Sequence, residues 1–343
     1  MKLFFLFLMA TNFAFAVTDQ VVIQGMDRPW AVVSGPDGTI WITEKRSGHI
    51  LIYNTQFVLQ KTLKGLPNLA SYVEGGLLDL AFHPKFQDNN WVYVAYTVHQ
   101  KAGYAVQINR FTYKGGVLKE QKTLIEGPAS ESGNHYGSRL LFDDSGMLLA
   151  SFGERTEKEK AQDMNVLNGK IIRITDDGAI PKDNPFNNSP IFSLGHRNPQ
   201  GLATHPVSRK IYDSEHGPSE FDAPGGGDEI NEVKSGANYG WPMYHHRMEA
   251  SGMNSPLLEY TPAIAPSGII FYTGSAISEW KNDLFVAALR GMQLVRARID
   301  EKGRVIETEI LLKNKYGRLR DVETSPDGSL LVLAEDGRLI QLK

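Results

Sequence analysis

The chain has 343 residues, with 36 Lys and Arg against 39 Asp and Glu, for a formal charge of −3. Its cations are scattered rather than gathered on one periodic face, which excludes a basic nucleic-acid footprint and leaves a small neutral or anionic molecule as the expected substrate. Cysteine is absent, so disulfides, thiolate nucleophiles and zinc–thiolate centres are excluded as well.

Residues 1–16 read as an export leader. Lys2 supplies the positive start, Leu3 to Met9 form an apolar run, and Ala14-Phe15-Ala16 has the small-x-small form of a cleavage site. The run is too short to anchor the chain in a membrane. Cleavage after Ala16 predicts a periplasmic protein made of one domain, 17–343. No low-complexity linker divides that domain, and no separate assembly element appears, so a monomer is expected.

Beyond the leader, VTDQVVIQG reads as a strand, and six β-rich phrases follow. They begin at Ala31 (AVVSGPDGTIWITE), Asp79 (DLAFHPKFQDNNWVYVAYT), Arg139 (RLLFDDSGMLLASFGE), Gly201 (GLATHPVSRKIYDSEHG), Gly268 (GIIFYTGSAISEWKNDLFVAAL) and Asp321 (DVETSPDGSLLVLAEDGRLIQL). Each holds an apolar strand, a turn and a second strand. Six such units predict an all-β chain: a six-bladed β-propeller with four-stranded antiparallel blades. A β-sandwich or a parallel β-helix competes, but a sandwich has no reason to repeat one strand-turn-strand phrase six times. The early strand is expected to complete the last blade and close the ring. Helix formers around Glu157 to Met164 suggest a short helix in an insertion.

A propeller is a scaffold, so function must come from polar groups in its loops. Glu74 opens EGGLLDLAFHP, where paired glycines allow close backbone approach. His135, in NHYGSR, precedes a buried strand and could serve as a base; a structural histidine is the bland alternative. Arg197 and Asn198, in GHRNPQG, could hold an anion and orient a carbonyl, or could form a hydrogen-bonded turn. The segment from Ile211 to Trp241 is broken by Gly, Pro, Asp and Asn, and carries Glu215, Glu220, Asp222, Asp228, Glu229 and Glu232. It suits a hard cation such as calcium, although a solvated acidic loop looks the same. Arg318 and Arg320 alternate onto one face of a strand. They suit anion recognition if that face meets the channel, or a solvent-facing pair with Asp321.

Taken in order, GMDRPW, EGGLLDLAFHP, HYGSRLLF, GHRNPQGLA, EHGP, GGGDEIN, NYGWP and GRLRDV resemble the soluble quinoprotein glucose and sorbosone dehydrogenases. The style is that of the bacterial aldose sugar dehydrogenases, and the resemblance runs from about Gly25 to the C-terminus. It implies a six-bladed propeller carrying pyrroloquinoline quinone (PQQ) and calcium near its axis. It places His135 as general base, with Arg197, Asn198, Gln162, Arg318 and Arg320 around the cofactor. Arg290 lies near a position that holds a cofactor-binding Lys. The carbonyls of Gly217 and Pro218 match those on the cofactor's calcium, and Asp228, Glu229 and Tyr239 match a second, structural calcium region.

The implied reaction oxidises an aldose at C1 to a lactone. His135 takes the hydroxyl proton, a hydride passes to C5 of PQQ, Arg197 steadies the developing negative oxygen, and an external acceptor of unknown identity takes the electrons. Two positions depart from the pattern of the glucose enzyme: Glu74 replaces a Gln, and Asn134, just before the base, replaces an Asp. Glu74 then adds negative charge near the cofactor, and Asn134 offers His135 no anionic partner. A non-enzymatic, calcium-stabilised binding propeller is the alternative function, and a metal hydrolase on the same cleft is a third.

Overall fold

The computed structural model describes residues 17–218, 222, 224–300 and 302–343. The leader and Glu220 lie outside the described residues. Among those described, 24 strands form six four-stranded antiparallel sheets. Blades 1 to 3 run Pro29–Ser34, Ile40–Glu44, Ile50–Tyr53 and Leu59–Leu63; Leu77–Phe82, Trp91–Gln100, Gly103–Lys114 and Val117–Glu126; Gly137–Phe142, Leu148–Phe152, Lys170–Ile174 and Ile191–Leu194. Blades 4 and 5 run Asn198–Thr204, Ile211–His216, Asp228–Val233 and Leu258–Tyr260; Pro266–Phe271, Leu284–Ala288, Gln293–Ile299 and Val305–Leu311. Blade 6 takes Leu319–Thr324, Leu330–Ala334 and Leu339–Leu342 from the C-terminus and Asp19–Ile23 from the N-terminus. The register Asp19↔Leu342, Gln20↔Gln341 closes the ring as the sequence suggests.

The first strand of each blade packs against that of the next, and the circle closes between Leu319–Thr324 and Pro29–Ser34. Second strands are sandwiched between blades: all five residues of Ile40–Glu44, Leu148–Phe152, Leu284–Ala288 and Leu330–Ala334 are buried. Continuous apolar runs suit strands covered on both faces. Outer strands are edges, and Leu59–Leu63, Val117–Glu126 and Val305–Leu311 expose Lys and Glu that discourage pairing with another chain. The insertion at 157–164 holds one turn of 3-10 helix, Lys158–Gln162, rather than a longer helix.

Side chains lock the blades together. Thr43, Ser151 and Ser214, each in a second strand, donate to the carbonyls of Leu78, Pro199 and Ser267 in the next blade's first strand, at 2.7, 2.9 and 2.5 Å. On the axis, buried Arg139 meets Asp79 at 3.3 Å and Asp321 at 3.2 Å. Those carboxylates also accept the amides of Leu140 and Val32 in the following blades, at 2.7 and 2.9 Å. Asp321 is therefore the partner of Arg139 and not of the neighbouring arginines.

Candidate active site

In an antiparallel blade the second strand ends where the first begins. The register pairs Pro29 with Glu44, Gly137 with Phe152, Asn198 with His216, Pro266 with Ala288 and Leu319 with Ala334. All six first strands slip register near this end. Such bulges re-aim side chains. A cleft opens on the axis there, lined by Lys45, Glu74, Tyr136, Gln200, His216, Arg318, Arg320 and Glu335 among others.

His135 sits at the mouth of blade 3. Its Nδ1 lies 2.7 and 2.8 Å from the two carboxylate oxygens of buried Glu154. A carboxylate only accepts, so Nδ1 carries the proton and Nε2 is left as the basic nitrogen. The anionic partner that Asn134 cannot offer comes from Glu154; the Asn134 carbonyl accepts from Arg155 at 2.8 Å. Glu74 accepts the His135 amide at 2.8 Å, so its carboxylate positions the base's backbone.

The loop is held in a demanding conformation. His135, Gly137 and Ser138 have φ of 55°, 64° and 80°. A Cβ on Gly153 would lie 2.2 Å from the His135 carbonyl, so that glycine lets the loop sit against Glu154. Arg155 stacks 3.5 Å over Tyr136 and donates to the carbonyls of Tyr104, Ser132 and Asn134. A floor of this kind fixes the ring before any substrate arrives.

Blade 4 supplies the adjacent wall. The Arg197 amide donates to Glu215 at 2.6 Å, and its guanidinium reaches Asp222 at 2.7 Å. Asn198 accepts the Gly137 amide at 3.1 Å, tying the His135 loop to blade 4, while its buried Nδ2 has no acceptor. His216 Nε2 and the Tyr136 hydroxyl are likewise buried without hydrogen-bond partners. Burial, then Arg197 and His135, push the His216 imidazole well below its ordinary range, so it stands neutral in the cleft.

Arg318 precedes the strand and the register slips just after Leu319, so strand alternation does not relate the two arginines. Both nevertheless meet Glu335, Arg320 at 2.9 Å, and Arg320 also holds Gln200 at 2.9 Å. Burial alone would raise the Glu335 carboxyl, but Arg320 and Arg318 outweigh it and hold it at about 2. Lys45 joins this wall, with burial and Arg320 lowering its pKa.

The remaining candidates are placed around this centre. The Gln162 amide bonds Asn238, at 2.7 and 3.1 Å, and the Trp241 carbonyl at 2.7 Å, bracing a neighbouring loop instead of lining the cleft. Arg290 is exposed on the rim, one residue beyond the cleft-lining Leu289. Gly217, Pro218, Glu229 and Tyr239 line one small cavity beside Arg197 and His216. Asp228 faces the other side of its strand, where Gly217, Ile264 and Ala265 donate amides to it at 2.9, 2.7 and 2.7 Å.

Sequence reasoning missed Glu154, Glu335, His216 and Lys45. The signal was positional: Glu44-Lys45, Glu154, Glu215-His216 and Glu335 all sit just at or past the end of a second strand in its own unit.

A family model described as Glucose / Sorbosone dehydrogenase matches residues 26–341. Aldose sugar dehydrogenase YliI of Escherichia coli is 33% identical over 350 residues, covering 95% of this chain and 92% of that protein. Quinoprotein glucose dehydrogenase B of Acinetobacter calcoaceticus is 28% identical over 413 residues, covering 92% and 85%. Among solved structures, the PQQ-bound aldose sugar dehydrogenase of Streptomyces coelicolor superposes with a TM-score of 0.83 at 28% identity, covering 95% of this chain and 98% of that one.

Proposed function

Because the chain belongs to the glucose/sorbosone dehydrogenase family, we propose that it oxidises aldose sugars at C1 with PQQ as cofactor. The observation that carries the reading is the His135–Glu154 pair, on the loop whose Tyr136 and Gly137 line a cleft walled by cations. The residues present suit PQQ, a quinone with three carboxylates. Lys45, Arg318 and Arg320 supply positive charge, the buried Tyr136 hydroxyl belongs to the same lining, and Asn198, bonded to the cleft-lining Gly137, keeps an unpaired buried donor. The carbonyls of Gly217 and Pro218 offer hard oxygen donors for the cofactor's calcium, and Glu229, without a cationic partner among the described residues, offers a carboxylate for a second, structural ion. Tyr239 closes that cavity.

When bound, PQQ supplies the two-electron acceptor for the hydride leaving C1, and an external acceptor completes the cycle. The chain supplies the rest. His135 Nε2 takes the C1 hydroxyl proton, and the Glu154 carboxylate fixes the ring and steadies the imidazolium that forms. Glu74 and Arg155 keep the ring's backbone in place, so little reorganisation accompanies the transfer. Arg197, in the turn that leads into the neighbouring blade, stabilises negative charge developing on the quinone side.

The test is reconstitution of purified apoprotein with PQQ and Ca²⁺, read by dye reduction with glucose, galactose, xylose and maltose. Aldose-dependent dye reduction that requires PQQ is expected. Turnover without PQQ would favour a hydrolase, and binding without turnover a non-enzymatic propeller.

A further inference from the structure

Beneath the Arg197 turn, blade 4 buries an acidic group that the proposed reaction does not use. Asp213 and Glu215 alternate onto one face of the strand Ile211–His216. The register sets Asn231 opposite Asp213 and Glu229 opposite Glu215 on the next strand. His196 enters from the turn that follows blade 3, its Nδ1 3.1 Å from Glu215 and 3.7 Å from Asp213. His196, Asp213 and Asn231 are fully buried.

Neither carboxylate oxygen of Asp213 has a hydrogen-bond partner, and neither does Asn231 Oδ1. Among the described residues no Lys or Arg pairs with Asp213, Glu215 or Glu229. Apart from the His196 ring, no cationic side chain among the described residues stands against Asp213 and Glu215. Burying an ionised carboxylate without a partner is strongly unfavourable, because it gives up its hydration for nothing in return. A hydrogen-bonded Asp would be expected at such a position.

We propose that Asp213, Glu215, Asn231 Oδ1 and His196 Nδ1 form a buried site for a divalent cation, distinct from the Gly217–Pro218 carbonyls. Three observations carry it. The donor atoms of His196, Asp213 and Glu215 all lie within 4.8 Å of one another. Metal–donor bonds of about 2.0–2.6 Å require donors no farther apart than about 5 Å. Asp213 and Asn231 are register partners on adjacent strands, and both carry buried oxygens without a hydrogen-bond partner. A divalent ion would also stand where, among the described residues, no Lys or Arg side chain reaches these carboxylates. Carboxylate and carboxamide oxygens with one imidazole suit manganese or zinc better than magnesium. The second ring nitrogen, held by Ser193 Oγ at 2.8 Å, orients the imidazole as outer-sphere partners of metal ligands do. Such an ion would join the end of blade 3 to the middle of blade 4 and set the floor under Arg197.

The test uses PQQ-free full-length protein, stripped with chelator and returned to Mn²⁺ alone, and does not depend on the dehydrogenase reading. Anomalous scattering from a Mn²⁺-soaked crystal should give a peak within bonding distance of Asp213, separate from any peak at Gly217. In solution, Asp213→Asn should bind one equivalent fewer than the parent and lose the Mn²⁺-induced rise in melting temperature assigned to that ion. The substitution is nearly isosteric and removes a buried charge, so the fold should persist; unchanged circular dichroism checks this. If the variant fails to fold, the parent's anomalous map alone decides. A peak only at Gly217 and Glu229, a water at Asp213, or equal stoichiometry in parent and variant would overturn the proposal in favour of protonated acids.

Discussion

Glu154 holds His135 Nδ1 with both carboxylate oxygens, at 2.7 and 2.8 Å, across the first two strands of blade 3. The pair explains how a ring on a left-handed loop residue keeps one tautomer and one orientation. Replacement of Glu154 by Gln keeps the shape but lets the amide donate as well as accept, so the wrong tautomer becomes accessible. We expect kcat to fall by roughly 10–10³-fold in Glu154→Gln with PQQ affinity retained, since wrong-tautomer losses reach about 10⁴ elsewhere. Steady-state kinetics on reconstituted protein, beside a PQQ titration, checks it; unchanged kcat removes Glu154 from the mechanism.

His135→Gln removes the base itself. General-base catalysis is worth about 10²–10⁴-fold, so kcat should drop by that factor or more while PQQ still binds. Full turnover by the loaded variant would point to another base, with neutral His216 in the same cleft the first candidate.

The two cleft arginines should separate. Arg318 is exposed, and Arg318→Ala should weaken PQQ binding by roughly 1.5–3 kcal/mol, the worth of one charge-assisted contact, with little change in melting temperature. Arg320 is buried and holds Gln200 as well as Glu335, so Arg320→Ala should also destabilise the fold, by about 3 kcal/mol or more. PQQ titration and urea melts of both variants test this, and equal parental affinity in both would exclude them as anchors.

Glu335 makes acid stability predictable. Its folded pKa is depressed from 4.5 to about 2, so its contribution is fully present above the unfolded value and is lost as pH falls from about 4.5 toward 2. The shift corresponds to at most roughly 3 kcal/mol. Urea midpoints of parent and Glu335→Gln should therefore differ most above pH 5, differ less at pH 3 and converge toward pH 2. A constant difference across that range would contradict the pairing.

Export is checked by intact mass. Protein from the periplasmic fraction should begin at Val17; recovery of only full-length cytoplasmic chain would refute the leader.

Much of this protein is legible in its sequence. Six repeats of strand, PDG-like turn and strand dictate six sheets, because apolar alternation and turn chemistry act over a few residues. The chain ends were readable too: VTDQVVIQG had strand character and the last blade lacked a strand. His135, Arg197, Asn198, Arg318 and Arg320 stood out because polar residues beside buried strands are conspicuous.

What only the tertiary structure decided is partnership. Glu154 lies 19 residues from His135, and Glu335 lies 15 from Arg320. Nothing local selects those acids over Asn134 or Asp321. The antiparallel return of each second strand brings its last residues to the cleft, and ring closure sends Asp321 to Arg139 instead. Gln162 shows the same limit, since a polar side chain in an insertion faces a cofactor or a neighbouring loop according to packing alone. So does Asp213, an ordinary strand acid in sequence whose missing partners become visible only when both faces of its sheet are covered.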